Sequence, residues 1–200
     1  MNENIKIFEE LLKEAIGDRN CYQSLSTWIK DRTDFYTAPA STMFHGAYEG
    51  GLLEHSLNVY NRLINKAEAD PFWKPLLSHL DKSSLTIISL LHDICKVNFY
   101  GVEMRNRKND ETGQWEKQPF YTVNDELPYG HGEKSVFLLM SAGLRLSVEE
   151  AMAIRWHMGA YEGPDNWRTL GNAMEKCPLI IALHQADMEA TYLLEKNSKK

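Results

Sequence analysis

Cysteine is scarce in this chain of 200 residues, and the three present, Cys21, Cys95 and Cys177, are odd in number, far apart and without C-x-x-C spacing. That excludes a disulfide-stapled framework and a thiolate zinc site, and it reads as free thiols in a reducing compartment. No apolar run approaches the roughly 20 residues that span a bilayer. The opening Met1-Asn2-Glu3-Asn4 lacks the features of a signal peptide, so the expected setting is the cytoplasm, away from membranes. Positive charge is in deficit: the net charge of −6 argues against broad non-specific binding to nucleic acid, although a local basic groove remains compatible with it. There is no internal repeat, no low-complexity tract and no G-x-S-x-G nucleophile elbow. What is there, 43% hydrophobic and 25% charged residues, is the make-up of an ordinary globular domain with a substantial core.

Apolar periodicity predicts a mostly helical chain. Ile5, Phe8, Leu11, Leu12 and Ala15 mark a helix ending at Gly17, and a second runs from about Tyr22 to Asp31. Thr37-Ala38-Pro39-Ala40-Ser41 reads as a connection, which divides an N-terminal helical cap (1–40) from a main domain (41–195), with 196–200 a frayed tail. Within the main domain helices are expected over Leu52 to Ile64, from Pro71 to about Leu80, and over Leu85 to Val97. Further helices are expected over Gly132 to Leu144, Ser147 to Met158 and Pro178 to Leu194, with Ser147 and Glu150 forming a capping box. Between them, at about 98–125, alternating residues, the polar turn Asn109 to Gly113 and the strand formers from Trp115 to Val123 predict an inserted β-hairpin. The fold class is therefore all-α with one hairpin.

The stretch richest in chemical information is Leu90-Leu91-His92-Asp93-Ile94-Cys95-Lys96, a His-Asp pair inside a run that is apolar around most of its circumference. An unpartnered buried carboxylate is costly, and a bound cation satisfies both groups at once. Other segments carry ligand types to apolar faces: His55 between Leu52 and Val59, His157 behind Ala153 and Ile154, Asp187 one turn after Leu183, and His131 between two glycines at a helix start. A lone inward histidine is more often a hydrogen-bonded core residue; the set together points to a metal. Nitrogen and carboxylate donors suit manganese, iron, cobalt, nickel or zinc. His184 shares the face of Asp187 and is expected to support a ligand from behind. His45, in a Gly-flanked loop, either meets substrate or shapes a turn, whereas His79 is expected at the surface.

This order of residues resembles the HD-domain metal-dependent phosphohydrolase superfamily, whose signature is H…HD…D on a helical bundle: here His55, His92-Asp93 and Asp187, with Gly50-Gly51-Leu52-Leu53-Glu54-His55 similar to the usual approach to the first histidine. Members with two metals add two histidines before the last aspartate, where His131 and His157 stand. There is no G-Y-P triplet and no OB-type N-terminal domain, so the likeness is to small stand-alone bacterial and phage hydrolases.

The resemblance implies two divalent transition-metal ions. One is held by His55, His92, Asp93 and Asp187; the other is held by His131 and His157, with Asp93 bridging. Two such ions about 3.5–4 Å apart share a water or hydroxide that attacks a phosphoryl group. Lys96, one turn after His92, either stabilises charge on that group or simply emerges to solvent, and Asp93 and Lys96 are the expected catalytic residues. Arg105 on the hairpin and Arg155 near His157 are weaker phosphate-binding candidates, and the hairpin is expected to line the substrate entrance. The implied activity is a phosphodiesterase acting on a phosphorylated small molecule, a nucleotide or a short single-stranded oligonucleotide, with no obligate protein partner. The alternatives are a one-metal 5′-nucleotidase or nucleoside-triphosphate hydrolase, and a nucleotide-binding module without turnover.

Overall fold

Amphipathic periodicity becomes helix in the computed structural model, which describes residues 1–19, 21–109 and 112–195. The expected tail at 196–200 and positions 110 and 111 of the polar turn lie outside the described residues. Among them, nine α-helices accompany a single two-stranded sheet: α1 (Asn2–Ile16), α2 (Tyr22–Arg32), α3 (Gly51–Ala69), α4 (Trp73–Leu77), α5 (Lys82–Leu91), β1 (Tyr100–Lys108), β2 (Trp115–Val123), α6 (His131–Ser141), α7 (Val148–Trp156), α8 (Trp167–Lys176) and α9 (Leu179–Glu189). The long helix α3 is central: it packs against α5, α9, α4 and α1. One continuous core runs through Phe8 and Leu12 of α1, Leu25 and Ile29 of α2, Leu52 and Leu63 of α3, Ile88 and Leu91 of α5, Ile154 of α7, and Ile180 and Leu183 of α9.

Helix ends are fixed by specific polar contacts. Asp81 caps α5 by accepting from the Ser84 amide at 2.6 Å. The expected capping box of α7 is formed, with Ser147 Oγ accepting from the Glu150 amide and Glu150 from the Ser147 amide. The same buried Glu150 carboxylate accepts from both terminal nitrogens of Arg19, at 2.6 and 2.9 Å, and from Ser84 Oγ at 2.7 Å. One carboxylate thereby joins the end of α1 to the starts of α5 and α7. Gly17 does not stop α1 with a left-handed residue: it stays right-handed and the chain tightens into a 3₁₀ turn, Gly17–Arg19.

Three elements depart from expectation. The helix over Leu85 to Val97 is interrupted: α5 ends at Leu91, His92 and Asp93 form a turn, and Ile94–Lys96 is a separate 3₁₀ turn. The segment after Pro178 is α-helical only to Glu189 and continues as a wide π turn, Ala190–Leu194. Helix α8 was not anticipated, although its amphipathic period is strong: Leu170 and Ala173 face the core from an otherwise polar segment. The hairpin is antiparallel, from Tyr100 opposite Val123 to Lys108 opposite Trp115, and beyond its base it projects from the bundle with most residues exposed.

Candidate metal centre

His55 lies on the inner face of α3 and is wholly buried. The loop before α3 can approach it because Gly51 faces the Gly46 carbonyl so closely that a Cβ would overlap it. That approach sets the His45 ring against the His55 ring, with centroids 5.1 Å apart. From the far end of the chain, Glu195 accepts from His55 Nδ1 at 3.1 Å and from Asn58 Nδ2 at 3.0 Å. The π turn is what carries Glu195 there. With Nδ1 so engaged, His55 Nε2 faces His92 Nε2 at 3.3 Å, Asp187 Oδ1 at 3.3 Å and Asp93 Oδ2 at 3.5 Å.

The break after α5 delivers the His-Asp pair. In an unbroken helix successive side chains diverge by about 100°; the turn at Asp93 lets both neighbours aim at one point. His92 Nδ1 donates to the Ser89 carbonyl at 2.9 Å, which can only accept, so Nε2 is left as a lone pair. Asp93 divides its two oxygens. Oδ2 faces His55, His92 (3.6 Å) and Lys96 (2.6 Å); Oδ1 faces His131 (2.8 Å) and His157 (3.4 Å).

The second pair of histidines comes from the packing of α6 on α7. Gly132 sits on the Arg155 carbonyl, where a Cβ would overlap, and this brings His131 at the start of α6 beside His157 just past the end of α7, with ring centroids 5.1 Å apart. His157 Nδ1 donates to the Ile154 carbonyl at 2.7 Å, while its fully buried Nε2 has no hydrogen-bond partner. His184 reaches the His157 carbonyl at 2.8 Å and so supports the turn carrying this imidazole, rather than supporting Asp187 on its own helix.

The donor set fits a cation. Two ligands about 2.0–2.1 Å from one ion in tetrahedral geometry stand about 3.3–3.4 Å apart; the His55–His92, His55–Asp187 and His157–Asp93 separations are 3.3, 3.3 and 3.4 Å. Three imidazoles are anchored through Nδ1 and turn Nε2 inward, the arrangement in which an outer hydrogen bond fixes ring and tautomer for metal binding. The electrostatics agree. Burial disfavours a charged His55, yet hydrogen bonds to Asp187 and Glu195 outweigh it and lift its pKa to about 10. Burial likewise opposes charge on His131, but Cys95 and Asp93 raise it to about 10. Burial pushes His92 down to about 3. Asp93 is held well below the usual carboxylate range, against the cost of burial, by Lys96 and the surrounding histidines. A buried centre that draws protons onto two imidazoles could hold a cation in their place.

A cavity of about 710 Å³ opens onto this centre, lined by Asp93, Lys96, His131 and Asp187 at its floor and by Phe44, Tyr100, Met158, Tyr161, Met188 and Tyr192 on its walls. Lys96 pairs with Asp93 at this floor instead of emerging to solvent. His45 also lines the cavity; its Nε2 is buried without a hydrogen-bond partner, and burial lowers its pKa. Of the hairpin's described residues only the basal Tyr100 and Val123 reach the cavity. Arg105 is outside it, exposed and paired with Glu103 at 3.4 Å. Arg155 is also outside, held between Glu133 and Glu162 and stacked 3.8 Å over the Trp156 ring. His79 is exposed beside Glu149, as expected.

Two neighbours of the centre were missed from sequence. Glu195 had no signal beyond its charge. Cys95, read only as a free thiol, has its Sγ 3.4 Å from His131 Nδ1 and lies with Asp93 and His131 in a group of donor atoms within 4.8 Å of one another. The molecule is thus a mostly helical fold with a β-hairpin and a buried His/Asp/Cys cluster that could hold a metal, and no helix among the described residues is long and apolar enough to cross a membrane. Comparison with protein-family models, with curated proteins and with solved structures finds no match to this chain.

Proposed function

We propose that this protein is a metal-dependent phosphohydrolase of the HD type, a phosphodiesterase acting on a nucleotide or short oligonucleotide. The observation that carries the reading is the division of Asp93, whose two oxygens face two separate histidine pairs, His55–His92 and His131–His157. A bridging carboxylate between two imidazole-rich positions is what a pair of divalent ions requires. Such ions, when bound, supply an acidified water as nucleophile and a clamp on the phosphoryl oxygens.

The chain's own residues do the rest. Lys96, whose pKa is raised because Asp93 and Tyr100 outweigh the cost of burial, remains a cation and offers charge to a phosphoryl or leaving oxygen at the cavity floor. His45, neutral and with a free ring nitrogen, is placed to hydrogen-bond the substrate. The cavity has the size of a small-ligand site, and its tyrosines and methionines offer apolar surface to a base or other organic group. Among the described residues Lys96 is its only lysine or arginine, which favours a substrate presenting one phosphoryl group over a long polyanion.

The test is hydrolysis of bis-p-nitrophenyl phosphate, followed by a panel of nucleotides and short oligonucleotides, by protein supplied with manganese, cobalt, nickel, iron or zinc. Turnover that disappears with chelation and in Asp93→Asn supports the reading. A folded protein that binds these metals and turns over none of the esters overturns it.

A further inference from the structure

The hairpin leaves one of its two faces open, and that face is continuous with the cavity. Residues paired across an antiparallel ladder share a face, and successive pairs alternate. Tyr100 and Val123 are such a pair, and both line the cavity. Further out on the same face Val102 stands opposite Tyr121, and Met104 opposite Pro119. The Tyr121 ring lies 6.5 Å from that of Tyr100, as a shared face requires. Lys117 follows, and the paired strands end with Lys108 opposite Trp115. Val102, Met104 and Trp115 are 62%, 58% and 71% exposed, an apolar line left open to solvent.

The two faces differ in charge. The other one mixes signs: Arg105 pairs with Glu103 and sits 5.9 Å over the Phe120 ring, and Arg107 stands opposite Glu116. Among the described residues of the hairpin, the apolar face carries two lysines and no acidic side chain. Burial and the charge of Glu49 raise the pKa of Tyr121, so negative charge adjoins the base of this face and positive charge its outer end. The face runs about 27 Å from the cavity at about 3.4 Å per residue, well beyond the reach of a single nucleotide. Lys96 serves one phosphoryl group at the cavity floor, so the rest of a longer strand has to find its partners outside. Aromatic side chains in line, with lysines beside them, are what unpaired bases and their phosphates bind.

We infer that this face is the track of a single-stranded oligonucleotide whose terminal phosphodiester enters the cavity, with bases stacked on Tyr121 and Trp115 and phosphates on Lys108 and Lys117. This rests on the phosphodiesterase reading of the centre and narrows its substrate to a short single strand. A duplex keeps its bases stacked on one another and leaves Trp115 without a partner.

Fluorescence anisotropy of the full chain with a labelled oligothymidylate of about 8 nucleotides tests this, its phosphorothioate backbone keeping the strand intact. Trp115→Ala is expected to weaken binding at least about 5-fold, and Trp115→Phe to keep most of it. Lys108→Gln combined with Lys117→Gln should flatten the dependence of log affinity on log salt by about 1.4, at about 0.7 per phosphate. Arg105→Gln, on the other face, should leave that slope unchanged. With manganese supplied, the ratio of kcat/KM for an ordinary oligothymidylate to that for thymidine 5′-p-nitrophenyl phosphate should fall at least about 5-fold in Trp115→Ala. Equal affinity of wild type and Trp115→Ala for the strand, or a duplex bound as tightly as the single strand, overturns the inference alone. So does a dimer that Trp115→Ala returns to monomers, which would assign the face to a second copy of the chain. A chain that hydrolyses the small diester and binds no strand overturns the track and leaves the phosphodiesterase standing. A strand bound through Trp115 by a chain that hydrolyses no ester overturns the function and leaves the track as a binding surface.

Discussion

His55 and His92 meet nitrogen to nitrogen, Nε2 to Nε2, at 3.3 Å in a fully buried setting. Two imidazole lone pairs aimed at each other beside two carboxylates repel unless a proton or an ion stands between them. The rings are held in this pose by Glu195 and the Ser89 carbonyl, so they cannot simply turn away.

The two sides of Asp93 should be separable. His131→Ala or His157→Ala is expected to lower metal content from about two ions per chain to about one, with a loss of turnover exceeding the roughly 10–100-fold cost of removing an outer hydrogen-bond partner. Elemental analysis beside kinetics decides it. Unchanged stoichiometry and activity would favour the one-metal alternative.

Lys96→Gln is expected to lower kcat on the order of 10²–10³-fold, the cost of one donor that acts on developing charge. Metal content at saturating manganese should be retained. Loss of metal in parallel with activity would mean that Lys96 serves Asp93 rather than substrate.

Glu195→Gln keeps the size of the side chain and removes the charge that holds His55 Nδ1. Metal affinity should fall about 10–100-fold, with kcat at saturating metal largely recovered. Isothermal titration with manganese gives the affinity directly, and equal affinities in both proteins would refute a positioning role.

The Arg19–Glu150 pair carries a pH dependence remote from the centre. Burial opposes ionisation of Glu150, but Arg19, Ser147 and Ser84 lower its pKa in the folded chain. A depressed carboxylate contributes stability that is present above its unfolded pKa of about 4.3 and is lost as pH falls through the folded value. Glu150→Ala should cost about 3 kcal/mol at neutral pH, where it leaves Arg19 unpaired. The difference in Tm from wild type should narrow in acid, below about pH 4.

Much of this was legible in sequence because it is periodic or local. The mostly helical class, the hairpin and the capping box of α7 follow from spacing alone. His55 and Asp187 could be placed on inward faces because their helices are regular where they sit. The rest turned on irregular geometry. Cys95 looks like a core residue if α5 is continued through it, and only the interruption at His92 redirects its sulfur. Glu195 is eight residues beyond Asp187, which in uniform α-helix is about 80° off that face. A π turn absorbs one extra residue, which makes it equivalent to seven and returns it to within about 20°. Arg105 and Arg155 had the right charge in the right neighbourhood, but nearby carboxylates, invisible as partners in one dimension, claim both.

The five-residue wide turn Ala190–Leu194 therefore works as a length gauge. Inserting one residue while the wide turn persists would rotate the carboxylate of Glu195 by about 100° and swing it away, freeing the His55 ring to spin, whereas deleting one and winding uniformly would leave Glu195 seven positions after Asp187 on the same face. Helix ends usually absorb an added residue without consequence; here a lengthened turn would be felt at the buried histidine cluster.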